Sequence, residues 1–339
     1  MPILLAESYV HTLNRFALEF GDGIGIRWYG LAYLSGFLFG WLFLRWLAKT
    51  NRVLIKPAQV SDFLTWLILG VLLGGRLGEV FFYSPDLLWT FESSFPFWGV
   101  LAIHKGGMAS HGGIIGVLIA AFLYARKHGI PSWHAIDITA ILAPPGLGLG
   151  RLANFINGEL WGNPLPQSMH ASPPSWSVKY PDEMLGSSFA NSAELARLQS
   201  MVESSESLTL QETLRNAAYA GRVDVVEAIT PYLTPYYPSQ LFQAASDGVV
   251  LFLALILVWL VPRKPGIIAG VFLVVYGILR IATEQFRGQY STEWGSSTLS
   301  VAVGLSALMV ALGIAVLIVC SRRDVEPLGG LLRKKNRPA

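Results

Sequence analysis

The sequence is poor in charge, and this shortage excludes an ordinary soluble domain. Charged residues make up 14% of its 339 residues and hydrophobic residues make up 53%. Soluble domains carry roughly 25% charged residues. The formal net charge is only +3, and no basic stripe alternates with aromatic residues, so nucleic acid is not an expected partner. The composition therefore favours a protein embedded in a membrane.

The chain has a single cysteine, Cys320, which excludes a disulfide framework and a thiolate metal site. Its histidines lack the spacing of metal ligands, so we expect neither a metal nor another cofactor. No serine stands in a nucleophile elbow. If the protein transfers an acyl or alkyl group, the nucleophile must come from a substrate. We also expect no cleavable signal sequence in the first twenty residues.

Long apolar runs predict an all-α integral membrane protein with about seven transmembrane helices. The helices are expected near residues 24–46, 61–83, 112–126, 133–151, 239–261, 266–286 and 297–320. Clusters of Lys and Arg follow the first, third, fifth and seventh helices, which places those loops and the C-terminus in the cytoplasm. The N-terminus then faces outward. The run HKGGMASHGG predicts that the outer end of the third helix is unwound or re-entrant.

These helices divide the chain into four regions. They are an N-terminal membrane part (1–163), an outer arm with a helical insert (164–238), a C-terminal membrane part (239–321) and a basic cytoplasmic tail (322–339). The insert, near 190–230, weakly resembles one ankyrin-type helix pair, which cannot bury its own apolar face. We therefore expect the insert to pack on the arm or on the membrane surface and to have no catalytic role.

The sixth predicted span carries a polar stripe. Its members recur at spacings of four, four and three: Tyr276, Arg280, Glu284 and Arg287. A charged side chain inside a span costs about 2.5–3.5 kcal/mol, so such a stripe faces a bundle interior or a cavity. The alternative is an Arg280–Glu284 pair that only joins helices.

Polar residues also crowd the end of the fourth span, in GRLANFINGELWGN. Arg151 lies there in the same outer half of the membrane as Arg280, and two guanidiniums at similar depth repel unless an anion lies between them. Because a guanidinium can bind phosphate through two hydrogen bonds, the pair predicts a site for a phosphate head group. Asn154 and Asn157 are neutral donors nearby, and Glu159 is placed to orient either arginine.

Four further polar residues lie in or beside predicted spans. His111, in GGMASHGGIIG, lies at the outer end of the third span, where the helix dipole disfavours its protonated form. A neutral imidazole there can accept a proton from a hydroxyl or thiol, although a histidine bound to a backbone carbonyl is an equal alternative. Tyr29, in RWYG, is expected at the outer interface. Arg76 and Glu79 in the second span are expected to form an internally neutralised pair.

Six motifs resemble those of the prolipoprotein diacylglyceryl transferase family, in the family's order. They are RWYGLAYL, GGRLGEVFFY, GGMASHGGIIG, GLGLGRLANFINGELWG, YPSQLF and YGILRIATEQFR. The resemblance implies a seven-span bacterial inner-membrane enzyme with a periplasmic N-terminus and a periplasmic arm between helices four and five. Such an enzyme transfers the diacylglyceryl group of phosphatidylglycerol to the lipobox cysteine of a lipoprotein precursor. This is the first step of lipoprotein maturation, and it releases glycerol phosphate.

The resemblance also implies roles for individual residues. Arg151 and Arg280 would stabilise the charge on the leaving phosphate, and His111 is a candidate base for the thiol. Tyr29 and Glu284 fall on the other catalytic positions, and the proton acceptor stays open among these two and His111. The implied substrate-binding residues are Asn154, Asn157, Glu159, Tyr276, Gly112, Gly113 and Arg76.

This chain departs from the family's usual pattern at three positions. The family usually has histidine, tyrosine and glutamate where this chain has Arg27, Phe242 and Gln243, respectively.

The main alternative function is a transporter or flippase for an anionic lipid or solute. Such a protein would favour an inverted repeat, which the sequence does not display. A third possibility is a membrane scaffold whose insert binds partners.

Overall fold

The computed structural model describes residues 8–21, 24–93, 95–102, 106–186, 192–203, 208–288 and 301–332. The strands in these ranges are β1 (Tyr9–Val10), β2 (Phe16–Gly21), β3 (Ile24–Arg27) and β4 (Val178–Lys179). The long helices are α1 (Trp28–Lys49), α2 (Val60–Phe82), α3 (Ser110–His128) and α4 (Ser132–Ile156). The insert has α5 (Ser192–Met201), α6 (Leu210–Tyr219) and α7 (Val223–Ile229). They are followed by α8 (Ser239–Gln243), α9 (Leu251–Val258), α10 (Ile267–Glu284) and α11 (Val301–Arg322).

The protein is mainly helical and carries apolar helices of membrane-spanning length. In the described ranges, five segments are long and apolar enough to cross a bilayer. They are Trp28–Lys49, Pro57–Phe82, Ser239–Val258, Ile267–Glu284 and Ala302–Arg322. The fold is therefore that of a helical membrane protein.

The first helix starts later than the sequence predicts. α1 begins at Trp28 rather than near residue 24, because β3 pairs antiparallel with β2. A strand ladder thus satisfies the backbone of Arg27, and this arginine is not part of a span. The predicted span before the outer region corresponds to α4, and the one after it corresponds to α8 and α9. A π-helical turn at Ala244–Val250 joins α8 to α9.

The third helix is more regular than predicted. α3 begins at Ser110, so Gly112 and Gly113 are helical, and the described non-helical part of the run HKGGMASHGG is residues 106–109. A Cβ atom at Gly116 would lie 2.1 Å from the carbonyl oxygen of Gly70 on α2, and one at Gly112 would lie 2.2 Å from that of Gly74. The glycines let the two helix backbones touch, as small residues do in membrane helix pairs.

The N-terminal segment lies beside the arm. β1 pairs in parallel with β4, so that Tyr9 is opposite Val178 and Val10 is opposite Lys179. The hydroxyls of Ser8 and Ser177, 169 residues apart, form a buried hydrogen bond of 2.7 Å. These contacts fix the N-terminal segment to the arm.

The three helices of the insert have a small apolar core of their own. Its buried members are Leu198, Leu214, Ala218, Val225, Ile229 and Leu233, and Met184 of the arm completes it. A capping box begins α6, with Thr209 and Glu212 bonding each other's backbone amides. The insert therefore packs on the arm.

The chain forms two compact units. The first comprises Met1–Ser35, Gly146–Val250 and Gly277–Ala307, and the second comprises Gly36–Pro145, Leu251–Tyr276 and Leu308–Ala339. The predicted site residues in the first unit are Tyr29, Arg151, Asn154, Asn157, Glu159, Arg280 and Glu284. Those in the second unit are Arg76, His111, Gly112, Gly113 and Tyr276.

Candidate active site

A hydrogen-bonded cluster in the first unit joins the start of α1 to the end of α4. The hydroxyl of Tyr29 donates towards two acceptors, Asn154 Oδ1 at 2.6 Å and Glu159 Oε2 at 2.9 Å. The side chain of Asn157 lies beside the same hydroxyl. Both asparagines are buried. Four residues that were named from the sequence are thus held together by one phenol group.

The turn after α4 explains how Glu159 reaches this cluster. Gly158 has φ +64°, and its N–H donates to the carbonyl of Phe155 at 2.9 Å. The next N–H, of Glu159, donates to the carbonyl of Asn154 at 3.0 Å. These two bonds and a left-handed glycine form a Schellman cap. The cap reverses the chain at the helix end and places the glutamate beside Asn154.

Gln240 fixes the same turn, a role that was not predicted from the sequence. Its Nε2 donates to the backbone carbonyl of Glu159 at 2.7 Å, and its Oε1 accepts from Tyr180 Oη at 3.4 Å. The side chain is almost fully buried in α8. The sequence did contain one indication of this role. Gln240 follows YPS at the start of a predicted span, where a buried side-chain amide needs a hydrogen-bond partner.

Arg280 and Glu284 form an ion pair in the last turns of α10, the contact that the sequence offered as an alternative interpretation of the polar stripe. Arg280 Nη1 lies 2.8 Å from Glu284 Oε2, and the two side chains are 10% and 12% exposed. The one-turn spacing of the sequence is sufficient for this contact. A buried charge pair of this kind in a membrane protein marks a functional site by default.

Asp247 is a second acidic residue near the arginines, and it was not predicted from the sequence. It lies on the π-helical turn, is 1% exposed, and interacts electrostatically with Arg151 and Arg280. The hydroxyl of Ser246 donates to its Oδ1 at 3.0 Å. The protein therefore supplies part of the negative charge that the two guanidiniums require. The signal was a lone carboxylate in the apolar run QAASDGVVLFLAL.

Arg76 does not form the predicted pair with Glu79. Its guanidinium donates to four backbone carbonyls, those of Gly99, Val100, Gly106 and Gly107, at 2.6–3.0 Å. Glu79 instead accepts from the hydroxyl of Ser84 at 3.2 Å. Within the part of the chain that the structure describes, Arg76 and Glu79 form no ion pair. The prediction was wrong because the loop after α2 returns its carbonyls to the arginine, a contact that helix spacing does not reveal. Whether Arg76 also binds substrate stays a prediction.

The other predicted residues of the second unit lie on α3 and α10. His111 is exposed in the first turn of α3, and Gly112 and Gly113 after it are buried. Tyr276 on α10 stacks on Phe272 with ring centroids 5.6 Å apart. The roles of these residues stay predictions. Among the described residues, no group of three or more His, Cys, Asp or Glu side chains is placed to hold a metal ion.

Comparison with known proteins decides the family. A family model described as prolipoprotein diacylglyceryl transferase matches residues 15–319. The chain belongs to this family. The resemblance of the six motifs is thereby confirmed, and the diacylglyceryl transferases are a family of enzymes.

Three named relatives agree with this diacylglyceryl transferase assignment, and each is a phosphatidylglycerol–prolipoprotein diacylglyceryl transferase. That of Bdellovibrio bacteriovorus is 41% identical over 300 residues, which cover 82% of this chain and 84% of the relative. That of Rhodospirillum centenum is 38% identical over 281 residues, covering 81% and 80%. That of Bradyrhizobium diazoefficiens is 34% identical over 312 residues, covering 89% of each chain. None of these names favours a transporter or flippase.

Four of the diacylglyceryl transferase motifs contribute to the first unit. RWYG provides Tyr29, the arginine–asparagine motif provides Asn154 and Glu159, and YPSQLF provides Gln240. The structure brings these three motifs into one hydrogen-bonded cluster. The last motif provides the Arg280–Glu284 pair.

Proposed function

We propose that the protein transfers the diacylglyceryl group of phosphatidylglycerol to the lipobox cysteine thiol of lipoprotein precursors. The products are a thioether-linked precursor and glycerol phosphate. The names of its relatives support both substrates. The observation that carries the proposal is the buried ion pair of Arg280 with Glu284, and the electrostatic interaction of Arg280 and Arg151 with the buried Asp247 supports it.

In the proposed reaction, the cysteine thiolate attacks the glyceryl carbon that bears the phosphate ester. A sulfur–carbon bond forms as the carbon–oxygen bond breaks, and the electron pair stays on the departing phosphate oxygen. The phosphodiester monoanion thereby becomes a phosphate monoester with additional negative charge. Arg151 and Arg280 stabilise this charge by charge-assisted hydrogen bonds, which are strongest where water is excluded.

The proton of the thiol must leave before or during attack, and His111 is the proposed base. A thiol has a pKa near 8.5, so only a modest gain in thiolate is needed. Glu284 and Tyr29 are alternative acceptors. Asn157 suits the glycerol head group of the lipid, because its buried Oδ1 has no hydrogen-bond partner among the described residues and can accept from a hydroxyl.

We infer seven membrane crossings in the bacterial inner membrane, with the N-terminus and the arm in the periplasm. The pairing of Tyr9–Val10 with Val178–Lys179 supports an even number of crossings between them. α1 and α2 supply two of these crossings. Because the total must be even, α3 and α4 either both cross the membrane or both do not. Helices of 19 and 25 residues are about 28 and 38 Å long, and the hydrocarbon core is about 30 Å thick. Arg126 and Lys127 after α3 favour a cytoplasmic turn.

The test is an assay with purified protein, phosphatidylglycerol and a lipobox peptide with a free cysteine. We expect glycerol phosphate release that depends on the thiol and matches the gain in peptide mass. Arg151→Ala and Arg280→Ala should each reduce the rate by about 100-fold or more, since each removes a charge that stabilises the transition state. Arg45→Ala, which loses a guanidinium stacked on Trp41, is the control. Normal activity in either site variant would contradict the proposal.

A further inference from the structure

Asp182 in the arm ties the insert to the N-terminal segment. Its two carboxylate oxygens accept from Arg15 Nη2 at 3.1 and 3.0 Å. Tyr219 Oη, at the end of α6, donates to Asp182 Oδ2 at 2.5 Å, and Arg215 Nη1 lies 3.7 Å from Oδ1. The guanidinium of Arg15 also lies over the ring of Tyr219, 5.5 Å from its centroid. One carboxylate thus joins three separate segments of the first unit.

His11 carries this connection to the end of α4. The side chain is fully buried, and its Nε2 donates to the carbonyl of Phe155 at 2.7 Å. Its ring packs edge-on against Phe155 and Tyr219, with centroids 5.4 and 6.1 Å away. Its backbone N–H donates to the carbonyl of Lys179 at 2.9 Å. His11 is therefore fixed by the arm and the insert, and it binds a carbonyl of the last turn of α4.

Tyr219 and His11 both lie beside the glycine of the Schellman cap. A Cβ atom at Gly158 would lie 3.3 Å from Tyr219 Oη and 3.2 Å from His11 Cε1. The insert therefore reaches the residue directly before Glu159.

We propose that the insert is a positioning element of the active site. Through Tyr219, and with His11, it holds the Gly158 turn in the conformation that directs Asn154 and Glu159 to the hydroxyl of Tyr29. Catalytic groups must be held within about 0.5 Å of their productive geometry by the packing and hydrogen bonds of the residues around them. The insert thus acts on the rate without touching substrate. This inference rests on the proposed function, and it replaces the expectation of a passive insert.

The test is Tyr219→Phe, which retains the ring and its packing but removes the hydroxyl. We expect kcat to fall about 3- to 10-fold, with less than 2-fold change in KM for either substrate. Val223→Ala is the control, because this side chain is 67% exposed on α7 and should leave both constants unchanged. In a Tyr29→Phe background, Tyr219→Phe should reduce kcat less than 2-fold further, because both changes act on the same turn.

The possible results separate the inference from the proposed function. If the wild type transfers lipid and Tyr219→Phe keeps its kcat, the inference is overturned and the proposed function stands. A raised KM for the peptide at constant kcat also overturns it, since that assigns the insert to precursor recognition. If the wild type releases no glycerol phosphate, the proposed function itself fails. Asp182→Asn, which keeps the side-chain volume and one acceptor, replaces Tyr219→Phe if that variant does not fold, and the same criteria apply.

Discussion

At the scale of single residues, one hydroxyl supports two acceptors at the centre of the site. Tyr29→Phe leaves the buried Asn154 Oδ1 without this donor, and an unsatisfied buried acceptor costs about 1–3 kcal/mol. We expect transfer activity to fall about 10- to 100-fold while membrane insertion stays normal. Tyr33→Phe is the matched control, one turn later on α1 and 60% exposed. Equal activity in the two variants would exclude the role given to Tyr29.

Asp247 offers a test of charge at the same scale. Asp247→Asn keeps the side-chain size but removes a negative charge near Arg151 and Arg280. A carboxylate near the arginines repels a bound phosphate, so its removal strengthens the binding of that anion. We therefore expect glycerol phosphate to inhibit the variant with a 3- to 10-fold lower inhibition constant. Asp62→Asn, at a half-exposed carboxylate of α2, is the control. An unchanged constant would show that Asp247 does not influence the arginines.

His11 predicts a pH dependence of stability. Burial lowers the pKa of His11 below its ordinary value of 6.5, so the folded protein binds this proton more weakly than the unfolded chain does. The contribution to the free energy of unfolding is complete above pH 6.5 and is lost as the pH falls below it. We expect the Tm in detergent to decrease between about pH 6.5 and 5. His11→Gln retains a donor for the Phe155 carbonyl but cannot titrate, and should flatten this decrease. The same slope in both proteins would contradict the assignment.

Residues with local partners could be predicted from the sequence, whereas those with distant partners could not. Arg280 and Glu284 are one helical turn apart, so their spacing was sufficient. Arg76 binds carbonyls of a loop 23–31 residues later, and Gln240 binds a carbonyl 81 residues earlier. The sequence shows that such side chains need partners but does not show which.

At the scale of elements, hydropathy located the long helices but not the contacts that determine their ends. Strand pairing displaced the start of α1, and α3 stayed helical through its glycines because these pack on α2. The NGE sequence at the end of α4 is typical of a glycine-capped helix end, but no turn was predicted there.

The contact of α2 with α3 yields a prediction for stability. Gly116→Ala would place a methyl carbon 2.1 Å from the carbonyl oxygen of Gly70, so the helices must separate. Such overpacking costs about 1–3 kcal/mol, and we expect the Tm in detergent to fall by about 1–4 °C. Gly40→Ala on α1, where a Cβ atom has no neighbour within 4 Å, is the control and should not lower the Tm. Equal Tm values in the two variants would argue against close backbone packing.

At the scale of the whole molecule, the inferred number of crossings can be tested with cysteine labelling. The chain has one cysteine, the buried Cys320, so Cys320→Ala gives a background without thiols. In intact spheroplasts, an impermeant maleimide should label Asn216→Cys in the insert. It should label Lys127→Cys only after permeabilisation. Labelling of Lys127→Cys in intact spheroplasts would place α3 and α4 on the periplasmic side and reduce the crossings to five.

The pairing of the N-terminal segment with the arm also affects how the protein is made. Ser8 and Ser177 are 169 residues apart in the chain. At 5–20 residues per second, the ribosome needs about 10 to 30 s to synthesise the intervening chain. β1 can therefore pair with β4 only after the arm has been synthesised, so it is among the last strands to reach its final position. A nascent chain that stalls before the arm is complete therefore lacks the partner that fixes its own beginning.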